Sequence, residues 1–263
     1  MSNISYNDSG DGYPIVFLHG FCESKNLWEV FVAMLSVKYR IISIDLPGFG
    51  QSPIIENKEP SIDVFSESVF NLLKELNISE CIIIGHSFGG YVALSFAENY
   101  PNLLGGLGLF HSTSLEDSPQ KKENREKAIT FIQKYGTEKF VTNLFPALFS
   151  AKQSTKYKNQ IEYFIRDAAQ TSPEAVIFTV KTMKNRTDRR HVLKAAKYPV
   201  LFIVGKDDAS LPLQQSLEEC TLAEENLVFI LENVGHMGMI EATEKCIKLV
   251  GHFIEYCLNK TVN

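Results

Sequence analysis

The chain has 263 residues, of which 44% are hydrophobic and 22% charged, with a formal net charge of −5. That balance fits an ordinary globular protein with a sizeable core, and it excludes the basic, clustered surface expected of a nucleic-acid binder and the long apolar run expected of a membrane span. The cysteines (Cys22, Cys81, Cys220, Cys246 and Cys257) are odd in number, scattered and without a CxxC pair, so neither a disulfide framework nor a zinc cluster is expected, and no metal site.

The N-terminal stretch MSNISYNDSGDGYPIVFLHG has no basic segment followed by a long apolar run, so no signal peptide is expected and the cytoplasm is the default compartment. A weak strand candidate at residues 4–6 ends in the turn-rich NDSGDG and is expected to pair with the strand that begins at Ile15. Further strand candidates are residues 15–19, 41–45, 81–86, 104–110, 200–205 and 227–231. The β-branched clusters IISID, CIIIGH and VLFIVG suit strands buried on both faces. Helical patterns lie between them at 27–37, 62–76, 88–100, 213–221 and 242–258, the third stopped by Pro101. Short apolar runs alternating with helical stretches predict an α/β fold with a mostly parallel sheet and crossover helices.

Residues 112–191 break this rhythm. They hold no convincing strand and are rich in amphipathic pattern, as in ENREKAITFIQKYG and KYKNQIEYFIRDAAQ, with Pro119, Pro146 and Pro173 dividing them into about four helices. The expected organisation is therefore a core built from residues 1–111 and 192–263, with a helical cap, or lid, at 112–191 inserted between two strands.

The strongest local signal is Gly85-His86-Ser87-Phe88-Gly89, a G-x-S-x-G run set between the apolar strand CIIIG and the helical stretch FGGYVALSFAENY. A nucleophilic serine needs a tight strand-to-helix turn that lifts its hydroxyl clear of the sheet, and flanking glycines let the helix pack closely on neighbouring strands. Serine is a weak nucleophile and requires a base, which in turn requires an orienting group. Of the six histidines, His236 follows the last strand in ENVGHMGMIE, between Gly235 and Gly238, where a catalytic base belongs. His19 is expected to hold loops by hydrogen bonds. His86 points sideways from the serine turn, His252 lies on the terminal helix, and His111 is a candidate for lining the pocket together with Met237 and Trp28.

If the order serine, acid, histidine holds, the acid comes from VLFIVGKDDASLP. Asp207 and Asp208 stand side by side there, and spacing alone does not separate them. An oxyanion hole needs two backbone N–H groups, expected from Phe88, after the nucleophile, and from Phe21 in the loop after the first strong strand. The Phe21 side chain is also expected to wall the acyl pocket.

Assembled in this order, the motifs resemble the α/β-hydrolase superfamily, and most of all its small capped esterase, haloperoxidase-like and C–C hydrolase branch. PIVFLHGF looks like that family's oxyanion strand and loop. DLPGFGQS is similar to its D-x-P-G-x-G-x-S segment, GHSFGG to its nucleophile turn, GKDDASLP to its G-x-x-D-x-x-x-P acid turn, and GHM with Glu241 to its histidine turn. Counting three on from Gly205, with Pro212 four beyond, the resemblance favours Asp208 over Asp207. FHSTSLEDSPQKKENREKAI looks like the start of the cap and MKNRTDRR like its end. The chain starts at what resembles the family's second strand, so the first of the usual eight is expected to be missing or very short. Cys22 and Glu23 stand where small residues are common, and Cys22 is read as a packed residue.

The function implied is a cofactor-independent serine hydrolase of small carboxylic esters, with Ser87 as nucleophile, His236 as proton shuttle and Asp208 orienting it. Lactone, thioester and C–C bond hydrolysis use the same machinery. A receptor on the same fold with little turnover, or an acyltransferase or perhydrolase, is the alternative. With 18 Phe and 10 Tyr in the chain, a mainly apolar pocket for a small-molecule substrate is expected.

Overall fold

The computed structural model describes residues 3–55 and 57–260. Its strands are β1 (Tyr6–Ser9), β2 (Pro14–Leu18), β3 (Arg40–Ile44), β4 (Cys81–His86), β5 (Leu104–Phe110), β6 (Val200–Gly205) and β7 (Asn226–Leu231). They form one seven-stranded sheet in the order β1-β3-β2-β4-β5-β6-β7, with β1 antiparallel to β3 and every other neighbour pair parallel. The apolar runs of β4 and β6 are buried along their whole length, because helices cover both faces of the sheet. The helices α1 (Glu29–Leu35), α2 (Ile62–Glu75), α3 (Phe88–Asn99), α8 (Leu213–Glu219), α9 (Gly238–Glu241) and α10 (Thr243–Lys260) belong to this core. α2 packs on α3, and α1 on α10.

Two expectations change here. The first strand is Tyr6–Ser9 rather than residues 4–6, and it pairs with β3 rather than β2. Both edges of β2 are already taken by β3 and β4, so the hairpin-like route is closed and β1 finds the free edge of β3. The helix expected at 27–37 is a 3₁₀ turn, Lys25–Trp28, followed by α1. Asp45 accounts for the tight turn, since its carboxylate accepts both the Lys25 backbone N–H (2.7 Å) and its ammonium (2.6 Å). The same carboxylate takes the Gln51 N–H (3.0 Å), which ties the loop after β2 to the loop after β3.

Between β5 and β6 run four helices, α4 (Pro119–Leu148), α5 (Lys158–Ala168), α6 (Pro173–Asn185) and α7 (Arg190–Ala195), the last straddling residue 191. Pro119 and Pro173 open helices at the first helical position, where a missing N–H costs nothing. Pro146 does not divide the segment. It sits in the last turn of α4, and the break falls at Gly136, whose φ of 80° suits glycine alone. The inserted helices are tied to the core by Arg189 with Asp63 (2.6 Å) and Glu98 (2.9 Å), and by Ser24 Oγ donating to Asp167 (2.8 Å).

The strand order places the site. After β2 the chain turns towards β3, and after β4 it turns the other way towards β5, so the loops leaving the carboxyl ends of β2 and β4 diverge. Such a switch point leaves a crevice. Ser87 and the loop His19-Gly20-Phe21 stand on its two sides.

Candidate active site

Ser87 is wedged between β4 and α3 with φ 49° and ψ −113°, a conformation costly for any residue with a Cβ. The surroundings hold it there. Its N–H donates to Phe110 O (3.0 Å), and its carbonyl accepts from Gly90 N–H (2.9 Å) and Ser112 Oγ (2.7 Å). The glycines two residues either side permit the close approach. A Cβ on Gly85 would lie 2.3 Å from Gly89 O, and one on Gly89 would lie 2.5 Å from Leu18 O. The hydroxyl is left part-exposed at the wall of a cavity.

His236 lines the same cavity, from the loop after β7. Its Nδ1 lies 2.6 Å from Asp208 Oδ2. The other Asp208 oxygen accepts the N–H groups of Ser210 (2.8 Å) and Leu211 (3.1 Å), which fixes the carboxylate at the end of β6. Burial favours the neutral acid, but His236 and His111 beside it together outweigh burial and hold Asp208 well below the usual carboxylate range. For His236, burial disfavours the cation, yet Asp208 outweighs it and raises the imidazole above its ordinary value. Asp207 faces the other way, towards Ser150 Oγ (3.0 Å) and Lys152 (3.0 Å). No hydrogen bond joins Ser87 Oγ to His236 among the described contacts. The two share the cavity wall, as groups do whose contact tightens around a substrate.

The histidine loop is clamped from several directions. His236 N–H donates to Leu148 O (2.7 Å) at the end of α4, and His236 O accepts from His86 Nε2 (3.0 Å). Glu241 accepts the N–H groups of Gly235 (2.9 Å), Met237 (3.3 Å) and Ser150 (2.9 Å), joining this loop to the inserted segment. Burial raises the Glu241 carboxyl, and those N–H groups only partly offset it.

His86 does point sideways from the serine turn, with Nδ1 2.9 Å from Glu23 Oε2. A carbonyl occupies its Nε2 side, so Nε2 is the donor there, and Nδ1 faces the Glu23 carboxylate. Burial opposes ionisation of Glu23, but His86 outweighs it and keeps the carboxyl below its ordinary value. Glu23 also takes the Gly20 N–H (2.6 Å) and reaches the cavity wall. Glu23 was visible in the sequence only as an oddity beside Cys22. Nothing local signals that its partner is His86, 63 residues on.

The loop residue Phe21 lines the cavity, its ring edge-on to Phe49 and near Phe140 of α4. Phe88 opens α3, so its N–H has no acceptor within the helix. Cys22 is buried at φ 59°, and burial pushes its thiol well above the ordinary value, which leaves it a packed, unreactive group. His19 holds two loops, donating from Nδ1 to Gly20 O (2.8 Å) and accepting the Leu46 N–H at Nε2 (2.9 Å).

The cavity, of about 290 Å³, lies between the strand ends and the inserted helices. Its wall departs from the sequence expectation in one respect. Trp28, Met237 and His111 do not line it. Trp28 is fully buried against Phe17, Phe31 and Phe110, and Met237 is fully buried as well. His111 sits behind the acid, 3.6 Å from Asp208, with Nδ1 accepting the Gly205 N–H (3.1 Å). Burial lowers its imidazole to about 4, so it is neutral at ordinary pH. The wall is mainly apolar, as expected, but a polar and charged strip interrupts it. Beside Ala128, Leu144, Leu148 and Met183 stand Lys121, Asn124 and Arg125, all from the first turns of α4. Amphipathic periodicity gave no sign that these polar residues face the cavity.

Among the described residues no group of three or more His, Cys, Asp or Glu is placed to hold a metal, and no helix is long and apolar enough to cross a membrane.

A family model described as the alpha/beta hydrolase fold matches residues 13–243. Among curated proteins, the chain is 27% identical over 239 residues to the dihydrolipoyllysine-residue acetyltransferase component of the acetoin cleaving system of Pseudomonas putida. That match covers 89% of this chain and spans only 61% of that protein. It is 25% identical over 274 residues to a 2-hydroxy-6-oxononadienedioate/2-hydroxy-6-oxononatrienedioate hydrolase of Burkholderia vietnamiensis, covering 95% of this chain and 90% of that one. Among solved structures, a malate-bound thermophilic esterase from Thermogutta terrifontis superposes with a TM-score of 0.91 at 25% identity, covering 97% of this chain and 93% of that one.

Proposed function

This chain belongs to the alpha/beta hydrolase fold family, and from that premise we propose that it hydrolyses small carboxylic esters through an acyl intermediate on Ser87. The observation that carries the reading is one cavity receiving both Ser87, on its strained turn, and His236, whose far nitrogen is engaged by Asp208 at 2.6 Å.

In the proposed reaction Ser87 Oγ attacks the ester carbonyl carbon while His236 Nε2 takes the hydroxyl proton. Asp208 holds the imidazole in the tautomer with Nε2 free and stabilises the cation that forms. The carbonyl oxygen, now negative, is received by the N–H groups of Phe21 and Phe88. The carbon–oxygen bond to the alcohol breaks, and His236 returns its proton to that alcohol. Water, deprotonated by His236, then attacks the acyl carbon, and the acid leaves as Ser87 regains its proton. The inserted helices α4 to α7 act as the cap that closes the cavity over the substrate.

A second reading is hydrolysis of a carbon–carbon bond beside a ketone, favoured by the similarity to the Burkholderia hydrolase. The test is labelling with a fluorophosphonate, location of the modified residue, and turnover of p-nitrophenyl butyrate. Label on Ser87 with steady turnover is the expected result. Label elsewhere, or a stoichiometric burst followed by almost nothing, overturns the ester-hydrolase reading.

A further inference from the structure

Resting on the ester-hydrolase reading above, we infer that the substrate carries a free carboxylate on a short arm, held by Lys121 and Arg125 at the cap-side wall of the cavity. The geometry begins with the charges. Lys121 and Arg125 lie one helical turn apart on α4 and both line the cavity that holds Ser87 and His236. Arg186, from just beyond α6, stands behind them. Its guanidinium lies 4.1 Å from the centre of the Tyr91 ring, another lining residue.

Against these three cations stands one paired carboxylate, the fully buried Asp117, which binds Arg186 Nη1 (2.8 Å) and Arg125 Nε (3.1 Å). Lys121 makes no ion pair among the described residues, and its ammonium donates to the carbonyl of Ser210 (3.2 Å). Taking an ammonium out of water without an anion is costly, and that cost shows here. Burial lowers the Lys121 pKa, and Arg186 and Arg125 lower it further against the pull of Asp117 and, more weakly, Asp208. An incoming carboxylate offers the missing anion, with charge-assisted hydrogen bonds to Lys121 and to the guanidinium nitrogens of Arg125 that Asp117 leaves free.

The negative groups of the site are already engaged. Glu23 is paired with His86 and Gly20 N–H, and Asp208 with His236. The cap-side wall is therefore the end of the cavity with uncompensated positive charge. Neutral and anionic esters of one shape should bind it very differently. The cap-side position means the anion contacts α4 while the ester carbonyl reaches Ser87.

The experiment compares monomethyl adipate with dimethyl adipate, following methanol release. The monoanion is expected to have a kcat/KM at least about tenfold higher, mostly through KM, the scale expected of hydrogen bonds to charged groups. Lys121→Met and Arg125→Met should each reduce that ratio at least about fivefold, and Lys121→Arg should retain most of it. Equal or better turnover of the diester, or a ratio untouched by both Met variants, overturns the inference. So does an equal loss on both esters in Lys121→Met, which would make Lys121 only a prop for the Ser210 loop. Circular dichroism and fluorophosphonate labelling of each variant show that it is folded. If neither adipate ester turns over, protection replaces turnover: adipate should slow labelling of Ser87 and adipamide should not, and equal protection again overturns it. Absence of any label on Ser87 refutes the hydrolase reading itself, whereas label and turnover without charge preference refute this inference alone.

Discussion

Asp208 Oδ2 stands 2.6 Å from His236 Nδ1 across 28 residues of sequence, whereas Asp207, its neighbour in the chain, reaches out to Ser150 and Lys152. The split arises in the turn after β6, where the Asp207 N–H is held by Val234 O (2.9 Å) and the Asp208 carboxylate is fixed by the N–H groups of Ser210 and Leu211. One carboxylate is buried against an imidazole and the other lies in reach of water.

Asp208→Asn should therefore lower kcat by roughly a thousandfold or more, since the amide cannot hold the imidazole in the right tautomer. Asp207→Asn should change it by less than about threefold, in line with a surface ion pair worth little. Steady-state rates with p-nitrophenyl butyrate decide between them, and equal losses would remove Asp208 from its proposed role.

The pH dependence has a definite sign. His236 must be neutral to accept the serine proton, and Asp208 raises its pKa above the ordinary imidazole value. The base is therefore inactivated as the pH falls through a value above about 6.5. The acid limb of a kcat/KM profile should report a pKa on the high side of that figure. An acid limb well below it would contradict the coupling.

Ser87→Ala and His236→Ala should each abolish esterase activity, with losses of roughly a thousandfold or more, and Ser87→Ala should leave the melting temperature within a few degrees. The Ser87 hydroxyl makes no hydrogen bond among the described contacts, so its removal breaks nothing. The strain can be measured separately. Ser87→Gly should be more stable than Ser87→Ala by about 1 kcal/mol, because only glycine takes φ 49° with ψ −113° at ease. Urea unfolding of the two inactive variants compares them directly, and equal stabilities would mean the turn is unstrained.

Glu241→Ala should cost about 2 kcal/mol or more, since it strips the acceptor from the buried N–H groups of Gly235, Met237 and Ser150 together. It should also lower kcat, because the loop that presents His236 loses its clamp. Unfolding curves and rates measured on the same preparation check both effects. A stable, fully active variant would show that the clamp is dispensable.

Much was legible in the amino-acid order alone. The strands β4, β5 and β6 were read to the residue, since a buried parallel strand is an unbroken apolar run bounded by turn residues. The strand–Ser87–helix turn was visible for a similar reason: its glycines answer clashes within a few residues and with the adjoining strand. The inserted helices announced themselves by their prolines, although the break in the longest fell at Gly136 and not at Pro146.

What depended on the tertiary structure was every choice made between residues distant in sequence. The free edge of β3 decided the partner of β1, and burial behind Asp208 removed His111 from the cavity. The fold also brought Glu23 to His86, Glu241 to Ser150, and Lys121 to the wall of the cavity. Periodicity records which face of an element is apolar, so it carries the fold. The direction of a polar side chain, and the charge it meets there, is set by elements tens of residues away, and only their packing determines it.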